Sequence, residues 1–155
     1  MSEQKTYHLA ELNIARGLGA MDDPVMADFV AQLDEINALA EASDGFVWRL
    51  KDESGNATDI QVFDDPLVIV NLSVWEDVES LHNYTYRSGH AKAFKRKKEW
   101  FSAFGKPHMV LWWVPAGHEP TAAEAKERLE YLQANGPSPY AFSFLKRFTP
   151  EGDPV

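Results

Sequence analysis

The sequence predicts an α+β fold in a single domain, and three observations carry that prediction. The chain has 155 residues, 45% apolar and 25% charged, the length and composition of one globular domain. Stretches with two-residue apolar alternation are interleaved with stretches of three- and four-residue periodicity. The connections hold glycine, proline and aspartate, and no apolar run approaches the roughly 18 residues of a membrane span. Residues 5–148 are expected to form the domain and 149–155 a C-terminal tail.

Tyr7 to Ile14 reads as a first strand, closed by Gly17-Leu18-Gly19. Asp22-Asp23-Pro24 then starts a helix, because Asp23 can accept from a free amide and Pro24 at the first helical position sacrifices no intrahelical donor. Met26, Phe29, Leu33, Ile36 and Ala40 form its apolar stripe, and Ser43-Asp44-Gly45 ends it. Phe46 to Leu50 is a short strand, followed by the irregular stretch Lys51 to Asp65 with room for a strand at Ile60 to Phe63. Leu67 to Trp75 is the strongest strand, and Glu76, Asp77 and Glu79 mark a helix start after it. That helix bends near Ser88-Gly89, resumes from His90 to Phe104 and stops at Gly105-Lys106-Pro107. A strand over Met109 to Val114, a capped helix starting at Thr121 and Glu124, and a last strand over Tyr140 to Lys146 complete the chain. In the last strand Tyr140, Phe142 and Phe144 are expected to share a face. The order is a ferredoxin-like βαββαβ pattern with a C-terminal αβ extension.

A formal charge of −9 is a poor match to a phosphate backbone, so nucleic acid is excluded as the expected partner. The run Lys95-Arg96-Lys97-Lys98 makes one segment locally basic and reads as a solvated helix face. With no cysteine there are no disulfides or thiolate metal sites, and with no apolar run long enough to span a bilayer no membrane partner is expected. Met1 to Gln4 lacks the features of a secretory signal, which predicts a cytoplasmic location. The five histidines show no H-E-x-x-H, Asp59, Asp64 and Asp65 lack calcium-loop spacing, and neither a G-x-S-x-G elbow nor a phosphate loop is present. No metal is expected.

Strand alternation separates Val68, Val70, Leu72 and Val74 from Leu67, Ile69, Asn71, Ser73 and Trp75. The first set suits packing under helices, and the second adds an amide, a hydroxyl and an indole that suit a pocket. A carboxamide buried in so apolar a strand needs a partner, either a backbone group or a ligand. Trp48, Trp75, Trp100 and Trp113 offer indoles that could converge on one flat cavity. Helical spacing sets His90 beside Phe94, Phe101 and Phe104, which makes it a candidate base, and Arg87 and Arg96 can supply positive charge to an oxyanion. For each of these residues a structural role stands as the alternative.

The segments Leu12-Asn13-Ile14-Ala15-Arg16, Gly45-Phe46-Val47-Trp48-Arg49, Val70-Asn71-Leu72-Ser73-Val74-Trp75-Glu76, Tyr86-Arg87-Ser88-Gly89-His90 and Leu111-Trp112-Trp113-Val114-Pro115-Ala116-Gly117-His118 resemble a bacterial domain-of-unknown-function family. That family belongs to the dimeric α/β barrel superfamily, with the antibiotic-biosynthesis monooxygenases. The resemblance implies a homodimer whose sheets pair. Cofactor-independent quinone-forming members use an Asn and a Trp four residues apart on one strand, and Asn71 and Trp75 match that spacing. The heme-degrading branch uses an Asn on the first strand, which Asn13 matches. It also uses a Trp and a His in the helix after the third strand, where this chain has Tyr84 and Phe94. His90 lies about one turn before Phe94 and leaves heme ligation open.

The reading that follows is a monooxygenase-like protein that binds a flat aromatic or polycyclic molecule and requires no cofactor. Asn71 orients the ligand, Trp75 and Trp48 form walls, His90 accepts a proton, and Arg87 or Arg96 stabilises negative charge. Asn13, Trp100 and Trp113 complete the expected lining. The alternatives are a non-catalytic binding module and a chain with no ligand site.

Overall fold

The computed structural model describes residues 6–20, 22–51, 63, 65, 67–87, 100–102 and 107–155. Its elements are β1 (Tyr7–Gly17), a 3-10 turn (Pro24–Met26), α1 (Ala27–Glu41), β2 (Phe46–Arg49), β3 (Val68–Trp75), α2 (Val78–Arg87), β4 (Phe101–Ser102), β5 (Met109–Pro115) and α3 (Ala122–Asn135). β1 is the central strand. It pairs antiparallel with β3 on one side, and its other edge is shared by β5 over Tyr7 to Asn13 and by β4 at Arg16 and Gly17. β2 pairs antiparallel with β3, so the main order β2-β3-β1-β5 is that of a ferredoxin-like α+β sheet.

Local chemistry sets the element ends. The Asp23 carboxylate accepts from the Val25 amide at 2.9 Å, which begins a 3-10 turn ahead of α1. Gly45 closes the turn after α1 at φ 82°, where a Cβ would stand 2.1 Å from the Ser80 hydroxyl oxygen; only glycine fits. The Asp77 carboxylate accepts from the Ser80 amide and hydroxyl at 2.8 and 2.7 Å and caps α2. At α3, the Thr121 hydroxyl accepts from the Glu124 amide at 3.1 Å. The Glu124 carboxylate does not complete a capping box. It accepts from Trp112 Nε1 at 3.0 Å and pairs with His118 Nε2 at 2.8 Å, tying α3 to β5.

The two faces of the sheet have different covers. Ala10, Leu12, Ile14, Val68, Val70, Leu72, Val74, Val110, Trp112 and Val114 are buried together with Ala125, Leu129 and Leu132 of α3. Leu9, Trp75 and Leu111 on the opposite face are buried with Ala40 of α1 and with Val78 and Leu81 of α2. Each face thus carries cover from helices of the same chain, α3 on one and α1 with α2 on the other.

Several expected elements differ. β1 runs on to Gly17. Phe101 and Ser102 form a strand instead of a helix end, because their main chain pairs with β1 while the Phe101 ring packs edge-on against Phe29 at 4.9 Å. Of the α1 stripe only Met26 and Ala40 are buried; Phe29, Leu33 and Ile36 are half-buried. The strand expected over Tyr140 to Lys146 does not form. Turns at Ser138–Ala141 and Ser143–Lys146 consume its hydrogen bonds, leaving one bridge between Leu111 and Phe142. Tyr140 consequently packs on the α3 side while Phe142 and Phe144 pack on the other. The tail folds back, with Thr149 N donating to Asp153 O and Val155 N to Arg147 O. The strand expected at Ile60 to Phe63 lies outside the described residues except for Phe63, which packs on the α3 side.

Candidate functional site

Strand register places the polar residues in rows across the face that α1 and α2 cover. One row runs Arg49, Ser73, Glu11, Leu111, and the next runs Asn71, Asn13, Met109. Directly paired residues share a face, so Glu11, Asn13, Asn71 and Ser73 form one polar patch inside an apolar sheet.

Glu11 is the centre of that patch, at 3% exposure. Its Oε2 accepts from the Ser73 hydroxyl at 3.0 Å, and Ser73 Oγ in turn accepts from Trp75 Nε1 at 2.9 Å. Its Oε1 accepts from Asn13 Nδ2. Burial disfavours the charged carboxylate and pushes its pKa up to about 7, against the two hydrogen bonds from Asn13 and Ser73 that pull it down. A buried acid that ionises near neutrality marks a candidate site. The half-buried Tyr84 stacks on Trp75 with ring centres 5.1 Å apart. Burial first, and the Glu11 charge second, hold its hydroxyl above the ordinary tyrosine range, against the opposing effect of Arg49.

The cover thins away from Glu11. Asn71 is exposed, and Asn13, Ala15, Ile69 and Met109 are half-buried. The expected burial of the Asn71 carboxamide is therefore corrected: among the described residues, the buried helix residues on this face, Ala40, Val78 and Leu81, cluster with Leu9, Trp75 and Leu111, and Asn71 is exposed. Solvent can satisfy its amide, and no desolvation cost attaches to it.

The indoles do not converge. Trp75 is 1% exposed, with its ring between Phe46 and Tyr84 and its N–H given to Ser73. Trp48 lies on the opposite face. A bulge between Phe46 and Trp48 shifts the alternation, so Phe46 pairs with Trp75 while Trp48 pairs with Val74 and packs on the α3 side. Trp100 is buried against Phe29 with ring centres 5.6 Å apart. Trp113 donates to the Phe148 carbonyl at 2.8 Å and borders a shallow cleft of about 210 Å³ with Tyr7, Glu76, Asp77 and Glu151. His90 and Arg96 lie outside the described residues, as does the Arg87 side chain.

Sequence reasoning missed Glu11. The available signal was an acid flanked by Leu9, Ala10 and Leu12 within a strand, at the same parity as Asn13. Among the described residues no group of three or more His, Asp or Glu is arranged to hold a metal ion. Of the residues that bear on heme, Asn13 is hydrogen-bonded to Glu11, Tyr84 is stacked on Trp75, and His90 and Phe94 lie outside the described residues.

Comparison with solved structures finds distant likenesses. SnoaB, a cofactor-independent oxygenase from Streptomyces nogalater, is 17% identical and matches 76% of this chain and 98% of its own at a TM-score of 0.44. A Pseudomonas aeruginosa protein is 12% identical over 76% of this chain and 100% of its own, TM-score 0.48. A protein of unknown function from Nitrosomonas europaea is 15% identical over 76% and 97%, TM-score 0.45. No curated protein matches. The family described as Domain of unknown function (DUF3291) matches residues 8–155. With all but the first seven residues inside that match, the chain belongs to the DUF3291 family.

Proposed function

We propose that this protein binds a flat aromatic small molecule bearing an acidic oxygen on the helix-facing side of the sheet, and that it acts on it as a monooxygenase. The observation that carries the reading is the Asn13–Asn71 register pair. It sets two carboxamides side by side on the open part of that face, next to a buried carboxyl. Amides placed there can hold a phenol or stabilise the oxyanion it forms. Half-buried Ile69, Ala15 and Met109 supply the apolar surroundings that a ring needs.

The oxygen chemistry in this reading is carried over at Asn71 from the resemblance to cofactor-independent quinone-forming oxygenases and requires no cofactor; Trp75, buried with its N–H on Ser73, backs the patch and does not meet the ligand. An ionised ring with an adjacent methylene reduces dioxygen directly. One oxygen atom becomes the new ketone, and the other leaves as water with the two methylene hydrogens. Asn13 and Asn71 hold the ring oxygen while charge moves.

The test titrates the protein with a hydroxylated anthrone, following tryptophan fluorescence, and measures oxygen uptake in the same mixture. Wild type is expected to bind and to consume one dioxygen per quinone formed. Asn71→Ala is expected to bind about tenfold more weakly, the value of one hydrogen bond to a charged oxygen. Equal binding by both proteins would remove Asn71 from the site. Binding without oxygen uptake would leave a non-catalytic binding module.

A further inference from the structure

The polar patch contains a buried acid that no ligand can touch, and its bonding suggests what it is for. From that reading of the site, we infer that Glu11 sets the hydrogen-bonding polarity of the pocket by deciding which end of the Asn13 carboxamide faces the ligand. An ionised carboxylate only accepts. In that state Glu11 holds Asn13 by its Nδ2 group, and the amide presents its carbonyl oxygen away from Glu11. A protonated Glu11 must donate its hydrogen to something. Ser73 Oγ already accepts from Trp75 Nε1, and taking a second hydrogen would leave the Ser73 proton without its present acceptor. The amide is the available recipient: Asn13 turns over, accepts on Oδ1 and presents its NH₂ group to the ligand.

The two states therefore select different ligands. With Glu11 neutral, the site offers N–H donors and takes an aromatic oxyanion. With Glu11 ionised, it offers a carbonyl acceptor and takes a hydroxyl. Binding an oxyanion then consumes one proton, and a phenol that ionises in the site yields its proton while Glu11 gains one, with solvent carrying it between them. Glu11 is a positioning residue; it never contacts the ring.

The surroundings suit this role. Ser73 and Trp75 share the face of Glu11 from β3 and the uncharged Leu111 from β5, while the Tyr84 ring of α2 stacks on Trp75 and its hydroxyl donates to the Ile36 carbonyl at 3.4 Å. Arg49 of β2 stands beyond Ser73, and its Nε donates to Glu41 at the end of α1 at 2.8 Å. Burial pushes the Glu11 carboxyl up to about 7, so both states are populated near neutrality.

Two measurements test the inference. In the free, ¹⁵N-labelled protein, the Asn13 side-chain amide signal should move with a midpoint near the Glu11 value, and in Glu11→Gln it should stay still. The carboxamide introduced by that substitution cannot ionise, and it can donate to Asn13 Oδ1 as the neutral acid does. The second uses 2,4-dinitrophenolate, a flat anion ionised throughout the range. Its affinity for wild type should fall about tenfold between about pH 6 and pH 8, as expected for uptake of one proton, and should be flat for Glu11→Gln. A still Asn13 signal in wild type, or the same pH slope in both proteins, overturns the role of Glu11 and leaves the site standing. An Asn13 signal that moves with no dinitrophenolate binding at any pH overturns the site, and the ligand selection inferred here with it.

Discussion

The two faces of this sheet are built from the same strands and do opposite things. On the even positions of β1, Ala10, Leu12 and Ile14 carry no side-chain polar atom and are sealed under α3 at 4% exposure or less. On the odd positions, Glu11 and Asn13 carry a carboxyl and a carboxamide, and the cover from α1 and α2 opens at Asn71. Alternation along a strand lets one segment store stability on one side and chemistry on the other. Fully burying a Val or Leu side chain contributes about 1.5–3 kcal/mol. The closed face can therefore offset the cost of holding a carboxyl out of water on the other.

That division of labour would fail if the closed face contributed little. Leu129 of α3 is fully buried against it. Leu129→Ala is expected to cost about 2–5 kcal/mol in urea unfolding, through lost transfer energy and the cavity left behind. A cost below about 1 kcal/mol would mean that α3 merely rests on the sheet. The extension would then not be what closes that face.

The polar face has a different signature, which is pH. Glu11 holds its proton more tightly in the fold, with its pKa at about 7 against 4.5 for the free side chain. Its contribution is fully present below the unfolded value and is lost as pH rises through the folded one. Over that window the loss is on the order of 3 kcal/mol. Glu11→Gln removes the ionisation and keeps the shape. Unfolding by urea at about pH 5 and pH 8 should show wild type losing stability relative to the variant, and parallel profiles would mean that the carboxyl titrates as if exposed.

The same contrast separates what is legible in the sequence from what is not. β3, the acid-marked start of α2 and the Thr121 start of α3 depend on chemistry within a few residues, and each forms as expected. The closed face is legible too, since Val68, Val70, Leu72 and Val74 announce it by parity alone. Burial of Glu11 is not, because it depends on β3 and β5 flanking β1 and on Ser73 arriving opposite, at a sequence separation of 62 residues. Trp48 escapes its expected place because one bulge reverses alternation and leaves no mark in composition. The last expected strand fails because Ser138 and Ser143 turn the chain locally before its apolar alternation can pair. The burial expected of Asn71 follows from its buried neighbours in sequence; its exposure depends on where the helices lie across the sheet, which is a tertiary feature.

Asn71 gives the smallest expected effect on stability and the sharpest separation of the two roles. Its side chain is exposed, so Asn71→Ala removes no buried hydrogen bond and opens no cavity; the change in unfolding free energy should stay within about 0.5 kcal/mol. The same truncation on the closed face, Val70→Ala at 3% exposure, should cost several times more. If Asn71→Ala instead destabilises by about 2 kcal/mol, the carboxamide is holding structure together, as a buried unsatisfied partner would require. The open part of the polar face would then belong to the scaffold. An unchanged fold with weakened binding of the aromatic anion assigns Asn71 to the ligand, since a side chain that supports nothing in the free protein can lose affinity only through what it touches when the ligand is bound.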